Sequence, residues 1–171
     1  YPEFSILHID AHFDLRKKYE GFTWSHASIM YNVLKHVPQV SRICHVGIRD
    51  FCVSEKEFSD TNDRSVAYLD RDIFRSKIAG NLKDVFASMM NSLSQHVYIS
   101  FDIDGLDPAL CPSTGTPVPG GLSFGEASYI LEELALRGKK IIGFDLCEVA
   151  LKNFEDEWDA NVGARVLYKL S

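Results

Sequence analysis

Hydrophobic and polar positions follow two alternating patterns along the chain. Short, nearly continuous apolar runs, typical of strands buried in a parallel sheet, are followed by longer segments in which apolar positions recur with helical spacing. The apolar runs predict five strands, near 4–10, 42–48, 66–70, 97–102 and 140–145. The helical segments are 26–36, 54–59, 72–93 with a break near Gly80-Asn81, 123–137 and 158–169. This alternation indicates parallel βαβ units.

Local signals support this assignment. Ser123 and Glu126 have the spacing of a capping box at a helix start, and Gly138 supplies a helix stop. The strands near 97–102 and 140–145 are apolar almost throughout, as expected when helices cover both faces of a sheet. We therefore predict an α/β fold, a three-layer α/β/α sandwich with a mostly parallel sheet, and a single domain over residues 1–171.

The charge balance narrows the class of partner. The chain has 18 Lys and Arg residues against 24 Asp and Glu residues, a formal net charge of −6. Nucleic acids and anionic membranes require a concentrated basic face, so this balance disfavours both. A small cationic ligand fits better.

The cysteines and the apolar runs indicate the compartment. Four cysteines lie far apart, without the spacing of a disulfide framework or a zinc motif: Cys44, Cys52, Cys111 and Cys147. No apolar run reaches the roughly 18 residues that a membrane-spanning helix needs. We expect reduced thiols and a cytoplasmic protein.

Acidic side chains gather where two predicted strands end. The first strand runs into His8-Ile9-Asp10-Ala11-His12-Phe13-Asp14, where Asp10 and His12 point to the same side. The strand near 97–102 runs into Asp102 and Asp104, which again share a face. Ligands of open α/β sheets bind beyond the carboxyl ends of the strands, so these residues are the candidate site.

Such a cluster calls for a cation. Each carboxylate desolvated without compensation would cost several kcal/mol. Carboxylates with one or two imidazoles and no thiolate favour a hard divalent ion such as Mn²⁺ over Zn²⁺, and the carboxylates are numerous enough to bridge two ions. In the alternative interpretation, Asp10 and Asp102 cap loops and His12 is a core histidine.

Three strings carry a family resemblance: HIDAHFD at 8–14, SFDIDGLDP at 100–108 and GTPVPGGL at 115–122. They resemble the ureohydrolase family, the arginase and agmatinase enzymes that hydrolyse guanidino compounds to urea. The resemblance implies an arginase-like fold and a binuclear manganese site. The metal ligands that it implies are Asp10, His12, Asp14, Asp102 and Asp104.

The same resemblance implies the catalytic roles. A metal lowers the pKa of bound water, which would attack the guanidinium carbon while Asp104 or Asp14 accepts a hydrogen bond from it. Glu148 matches the glutamate that binds the guanidinium group of the substrate. His26 matches the histidine that shuttles protons, and would protonate the leaving amine as general acid.

One element of the family pattern has no counterpart in these residues. The family has a further histidine ligand on a strand N-terminal to everything present here. His8 lies two residues before Asp10, roughly 6.6 Å deeper in the sheet, which makes it a poor substitute. We therefore expect the chain to be part of a longer protein, with the N-terminal strands absent, and to form a homo-oligomer as relatives often do. The alternative is a defective metal site in a non-catalytic binding or regulatory relative.

Two loops resemble different subgroups of the ureohydrolase family. Residues 114–122 resemble arginase and agmatinase, whereas Asp14-Leu15-Arg16 is similar to formimidoylglutamases, which cleave a formimidoyl group instead. Residues 13–18 do not look like the loop with which arginase holds the head of its amino acid substrate. We expect an agmatine-like guanidino substrate, with formimidoylglutamase as the alternative.

Overall fold

The computed structural model describes residues 1–151 and 157–171. Its strands are β1 (Phe4–Ile9), β2 (Val40–Ile48), β3 (Ser65–Leu69), β4 (His96–Asp102) and β5 (Lys140–Cys147). Its α-helices are α1 (Ile29–His36), α2 (Val53–Thr61), α3 (Asp70–Ala79), α4 (Leu82–Ser92), α5 (Phe124–Leu136) and α6 (Trp158–Leu170). Short 3-10 turns span His26–Ser28 and Ile103–Gly105.

The strands form one parallel sheet in the order β3-β2-β1-β4-β5. The chain runs outward from β1 through β2 to β3, then returns to place β4 on the other side of β1. The strand order therefore reverses between β1 and β4. Ligands of open α/β sheets bind in the crevice outside the carboxyl ends of the strands at such a reversal.

Helices cover both faces of the sheet, as predicted. One apolar core packs residues of α3, α4, α5 and α6 against Leu7 and Ile9 of β1. The second core packs residues of α1 and α2 against Ile6 of the same strand. Because side chains alternate along a strand, β1 contributes to both cores. The three-layer α/β/α sandwich is confirmed.

The predicted elements are present with small differences at their ends. The helix predicted over 72–93 breaks where Gly80 adopts a left-handed φ of 75°, which glycine reaches at little cost. The predicted capping box is present, with the N–H of Glu126 donating to Ser123 Oγ at 3.2 Å. The segment near 26–36 begins as a 3-10 turn, so its α-helix starts only at Ile29. Among the described helices, none combines the length and apolar character needed to cross a membrane.

Candidate metal centre and active site

A cleft of about 600 Å³ opens at the carboxyl ends of the central strands. It is lined by every residue that the sequence predicts for the site: Asp10, His12, Asp14, His26, Asp102, Asp104 and Glu148. The strand order brings them together, since β1, β4 and β5 are neighbours in the sheet. Residues from three distant parts of the chain thus meet in one cleft.

Asp10 lies at the centre of the cluster, immediately after β1. Its Oδ1 accepts the backbone N–H of His12 at 2.6 Å, and its Oδ2 lies 2.9 Å from Nε2 of His8. The side chain is only 3% exposed. Burial alone would raise the pKa of this carboxyl, but the neighbouring His8 and His12 outweigh burial and hold the pKa below its usual range.

Asp104 connects three loops of the site. Its Oδ1 accepts the backbone N–H of Ala11 at 3.1 Å, and its Oδ2 accepts the hydroxyl of Thr116 at 3.2 Å. The same Oδ2 lies 3.3 Å from Nδ1 of His12. The carboxylate is therefore fixed by the loop after β1 and by the loop at 115–122.

His12 lies between two carboxylates. Its Nδ1 is 3.3 Å from Asp10 Oδ1 and 3.3 Å from Asp104 Oδ2. Burial opposes a charged imidazolium, but the hydrogen bonds with Asp10 and Asp104 prevail and raise the pKa of His12 to about 10. The two carboxylates thus attract positive charge to the space between them.

Asp14 and Asp102 have raised pKa values, so their carboxyl groups ionise less readily than usual. Burial, reinforced by the charge of Asp10, raises the pKa of Asp14 to about 7. Burial, reinforced by Asp10 and Asp104, raises the pKa of Asp102 to about 9. A divalent cation would reverse both effects, because a bound cation becomes the largest local charge and favours the ionised carboxylates. The donor set therefore fits a cation.

Two groups of potential ligand atoms overlap at Asp10. In each group the atoms lie within 4.8 Å of one another: His8, Asp10 and Asp14 in one, and Asp10, His12 and Asp104 in the other. Carboxylates with imidazoles suit a hard divalent ion such as Mn²⁺. Asp10 is the residue that the two groups share.

The backbone conformation of Asp14 supports its place in the cluster. Its φ of 55° is left-handed, a conformation that costs a non-glycine residue about 1 kcal/mol. Its carbonyl accepts the N–H groups of Met30 and Tyr31, each at 3.1 Å, at the start of α1. The N-terminus of α1 thus holds Asp14 at the wall of the cleft.

Glu148 and His26 also line the cleft, and both are exposed to solvent. Glu148 follows β5, is exposed and has a left-handed φ of 60°. Its Oε2 faces Gly115 so closely that a Cβ at Gly115 would lie 3.2 Å away. His26 is exposed on the 3-10 turn before α1, with its ring edge-on to Tyr19 at a centroid distance of 5.5 Å.

Sequence reasoning missed three residues of the site. His8 was dismissed from its depth in the sheet, but its imidazole extends far enough for Nε2 to reach Asp10. Thr116 contacts Asp104 through its hydroxyl. Arg49 donates from Nη2 to the carbonyl of Asp104 at 2.6 Å and from Nε to that of Val118 at 3.1 Å. His8 and Arg49 had no signal in the sequence beyond a position at or next to the carboxyl end of a strand, whereas Thr116 lies in the motif at 115–122.

Comparison with known proteins agrees with this geometry. The sequence model of the Arginase family matches residues 1–171. The chain belongs to the arginase family. The family assignment predicted from the motifs at 8–14, 100–108 and 115–122 is thereby confirmed.

Curated relatives of this arginase-family chain include two ureohydrolases. The N(1)-aminopropylagmatine ureohydrolase of Thermus thermophilus is 36% identical over 148 residues, which cover 86% of this chain and 47% of the relative. The agmatinase of Halalkalibacterium halodurans is 33% identical over 150 residues, 88% of this chain and 48% of the relative. The chain thus spans about half the length of the curated relatives it matches.

Solved structures confirm the arginase-like fold. The arginase of Bacillus subtilis superposes with a TM-score of 0.84 over 99% of this chain and 63% of that protein, at 23% sequence identity. At this identity the likeness establishes the fold alone. The five parallel strands with helices on both faces are therefore the arginase-type α/β architecture.

Proposed function

We propose that the protein is a dimanganese hydrolase that cleaves a guanidino C–N bond and releases urea and an amine. The observation that carries this proposal is the meeting of two overlapping carboxylate–imidazole groups with Glu148 and His26 in one cleft. Membership of the arginase family supports it.

The metal ligands would come from the two strand ends. The residues that would hold the ions are Asp10, His12, Asp14, Asp102 and Asp104. When bound, two Mn²⁺ ions would supply Lewis-acid chemistry that lowers the pKa of water and makes it nucleophilic near neutral pH. Asp104, fixed by Ala11 and Thr116, or Asp14 would accept a hydrogen bond from the attacking water.

Glu148 would bind the guanidinium of the substrate. A guanidinium is planar and presents paired N–H groups that match the two oxygens of a carboxylate. Glu148 is exposed at the wall of an acidic cleft, where a cationic substrate is attracted by the charge of its surroundings. Contact with Gly115 limits the positions that its carboxylate can take.

His26 would protonate the leaving amine. Imidazole is the side chain suited to proton transfer near neutral pH. His26 lines the same cleft as Glu148 yet is exposed to solvent, from which it can recover a proton after each turnover. The edge contact with Tyr19 limits the orientations of its ring.

An agmatine-like substrate is the proposed specificity. The names of the relatives from Thermus thermophilus and Halalkalibacterium halodurans support this choice. One observation favours the alternative, a formimidoylglutamase: Arg16 lines the cleft, where a guanidinium would suit a substrate that carries carboxylates. Its Nε lies 3.6 Å from Glu55 Oε2, so that part of its charge is already compensated.

We further propose that residues 1–171 are part of a single catalytic domain, in a cytoplasmic homo-oligomer that binds neither nucleic acid nor membranes. The net charge of −6 supports the absence of a nucleic-acid or membrane partner. All four cysteines are free thiols, in keeping with a reducing compartment. Light scattering on the intact protein measures the oligomeric state.

Product analysis tests the proposed reaction. The intact protein, loaded with Mn²⁺, is incubated separately with agmatine, arginine and N-formimidoylglutamate, and urea and formamide are quantified. Release of urea from agmatine supports the proposal, whereas formamide from the third substrate favours the formimidoylglutamase. A protein that binds Mn²⁺ and releases neither product is a non-catalytic relative.

A further inference from the structure

A row of polar side chains crosses the sheet directly beneath the carboxylate cluster. In the strand register, His8 of β1 lies beside His45 of β2 on one side and beside Ser100 of β4 on the other. Asp145 of β5 continues the row and accepts a hydrogen bond from Ser100 Oγ at 3.1 Å. His8 lies two residues before Asp10, on the same face of the strand. The row therefore lies one step along the strands below the carboxylate cluster.

The two histidines of this row are the most deeply buried. His8 is 1% exposed and His45 is fully buried. Their Nδ1 atoms lie 2.9 Å apart, close enough for one proton to be shared as a hydrogen bond. Among residues 1–151 and 157–171, Nε2 of His45 has no hydrogen-bond partner, so Nδ1 makes the hydrogen bond of that ring. The ring of Phe13 packs edge-on against His45 at 5.3 Å and limits its rotation.

The other nitrogen of His8 points to the metal site. Nε2 lies 2.9 Å from Oδ2 of Asp10. An ionised carboxylate only accepts hydrogen bonds, so Nε2 carries the proton and donates it. Whichever ring supplies the proton between the two Nδ1 atoms, the Nε2–H of His8 remains directed at Asp10.

This hydrogen bond fixes the rotation of the Asp10 carboxylate. The backbone N–H of His12 holds Oδ1 from one side, and His8 holds Oδ2 from below. Asp10 is the most central of the five proposed metal ligands, so its orientation affects how the site holds a cation. Mutation of a residue that hydrogen-bonds to a metal ligand typically lowers the metal affinity by about 10–100-fold.

We propose that His8 is a positioning residue, held in place by His45, that fixes the orientation of Asp10 in the proposed metal site. This inference rests on the proposed metal site. It also gives a reason for two buried imidazoles, since apolar side chains of similar size often maintain protein stability equally well at such positions. His8 and His45 need not contact the metal or the substrate. Their effect passes through the carboxylate of Asp10.

Two amide substitutions at His8 separate its two hydrogen bonds. The amide nitrogen of Gln reaches about as far as Nε2, so His8→Gln keeps the donor to Asp10. The amide group of Asn reaches only about as far as Nδ1, so His8→Asn keeps the contact with His45 and loses Asp10. We expect Mn²⁺ to bind to His8→Gln within a few fold of the wild-type affinity and to His8→Asn about 10–100-fold more weakly. Electron paramagnetic resonance of free Mn²⁺, titrated against each intact variant, measures both.

A second pair of variants tests the role of His45. His45→Asn keeps a polar group near the position of Nδ1, whereas His45→Leu removes it. In the metal-free protein with ¹⁵N-labelled histidine, we expect a slowly exchanging Nε2 proton of His8 in the wild type and in His45→Asn. We expect faster exchange of that proton in His45→Leu. Circular dichroism and thermal unfolding confirm that each variant is folded.

The outcomes distinguish this inference from the proposed function. If the wild type binds Mn²⁺ and His8→Asn binds it as tightly as His8→Gln, the positioning role is wrong while the metal site stands. Should His8→Asn fail to fold, a Mn²⁺ affinity equal in His45→Asn and His45→Leu overturns the inference instead. If the wild type binds no Mn²⁺, the proposed function fails, and the exchange rates in the metal-free protein decide whether His45 holds His8.

Discussion

The backbone N–H of Ala11 donates to Oδ1 of Asp104 at 3.1 Å, joining residues 93 positions apart in the sequence. This hydrogen bond ties the loop after β1 to the turn after β4, the two segments that carry the carboxylate cluster. It forms only where β1 and β4 are adjacent in the sheet. The candidate site is therefore assembled by the same strand pairing that builds the centre of the fold.

Replacing Asp104 with Asn should weaken metal binding and lower activity. The change removes a charge next to His12 and a proposed metal ligand. We expect bound Mn²⁺ to fall from two ions toward one per chain and kcat to fall by about 10²-fold or more. Elemental analysis and steady-state kinetics measure these effects. Asp107→Asn is the matched control, since Asp107 is an exposed carboxylate that caps the N–H of Ala109, and equal losses in both variants would contradict the assignment.

Glu148→Gln should raise KM strongly. The substitution removes the charge that is proposed to pair with the guanidinium in both the ground and the transition state, so kcat is expected to fall as well. Steady-state kinetics on agmatine, with arginine and N-formimidoylglutamate as comparison substrates, measures the change. An unaltered KM would show that another group binds the guanidinium.

His26→Asn should lower kcat by about 10²-fold and leave KM within a few fold, as expected when general acid catalysis is lost. His36→Asn is a suitable control, because His36 is also exposed but stacks on Trp24 at the end of α1. Metal content is measured in parallel. A His26→Asn variant with wild-type kcat and full metal content would remove His26 from the mechanism.

Gly115→Ala should weaken substrate binding without affecting the fold. Its Cβ would lie 3.2 Å from Oε2 of Glu148, so the carboxylate must shift. We expect KM to rise several fold, in the same direction as in Glu148→Gln. The control is Gly125→Ala on α5, where the Cβ meets nothing nearer than 4.0 Å and alanine favours the helix by about 1 kcal/mol. Equal KM values for the two variants would contradict the role of the close contact.

The buried His45 should make the protein less stable in acid. Burial lowers the pKa of His45 well below its usual value, with the neighbouring His8 contributing. Below about pH 6.5 the unfolded chain therefore binds a proton that the folded chain excludes. Stability is lost as the pH falls through that value, by up to about 1.4 kcal/mol per pH unit.

Urea unfolding at several pH values from 7 to 5 tests this effect. The free energy of unfolding of the wild type should fall relative to that of His45→Leu as the pH decreases. His36→Asn, which replaces an exposed histidine, should follow the wild type. If the free energies of unfolding of the wild type and His45→Leu changed equally with pH, His45 would not be the cause of the acid destabilisation.

The sequence by itself determined the elements of the fold, the family and the residues that line the candidate site. Apolar runs and helical spacing are local properties, and they placed the five strands of the described residues and the break at Gly80. Strand-end geometry is also local, so Asp10, His12, Asp102 and Asp104 could be predicted to share a cleft once the sheet was taken as parallel. The three motifs were sufficient to assign the family.

Only the tertiary structure decided which side chains meet. The contact between His8 and His45 depends on the register of β1 against β2, and that between Gly115 and Glu148 on the path of a loop between β4 and β5. The contact of Arg49 with the carbonyl of Asp104 depends likewise on two strand ends that are distant in sequence. Residue spacing fixes the direction of a side chain but not its reach or its partner. For that reason His8 could be dismissed from its depth along the strand, although its imidazole spans the distance to Asp10.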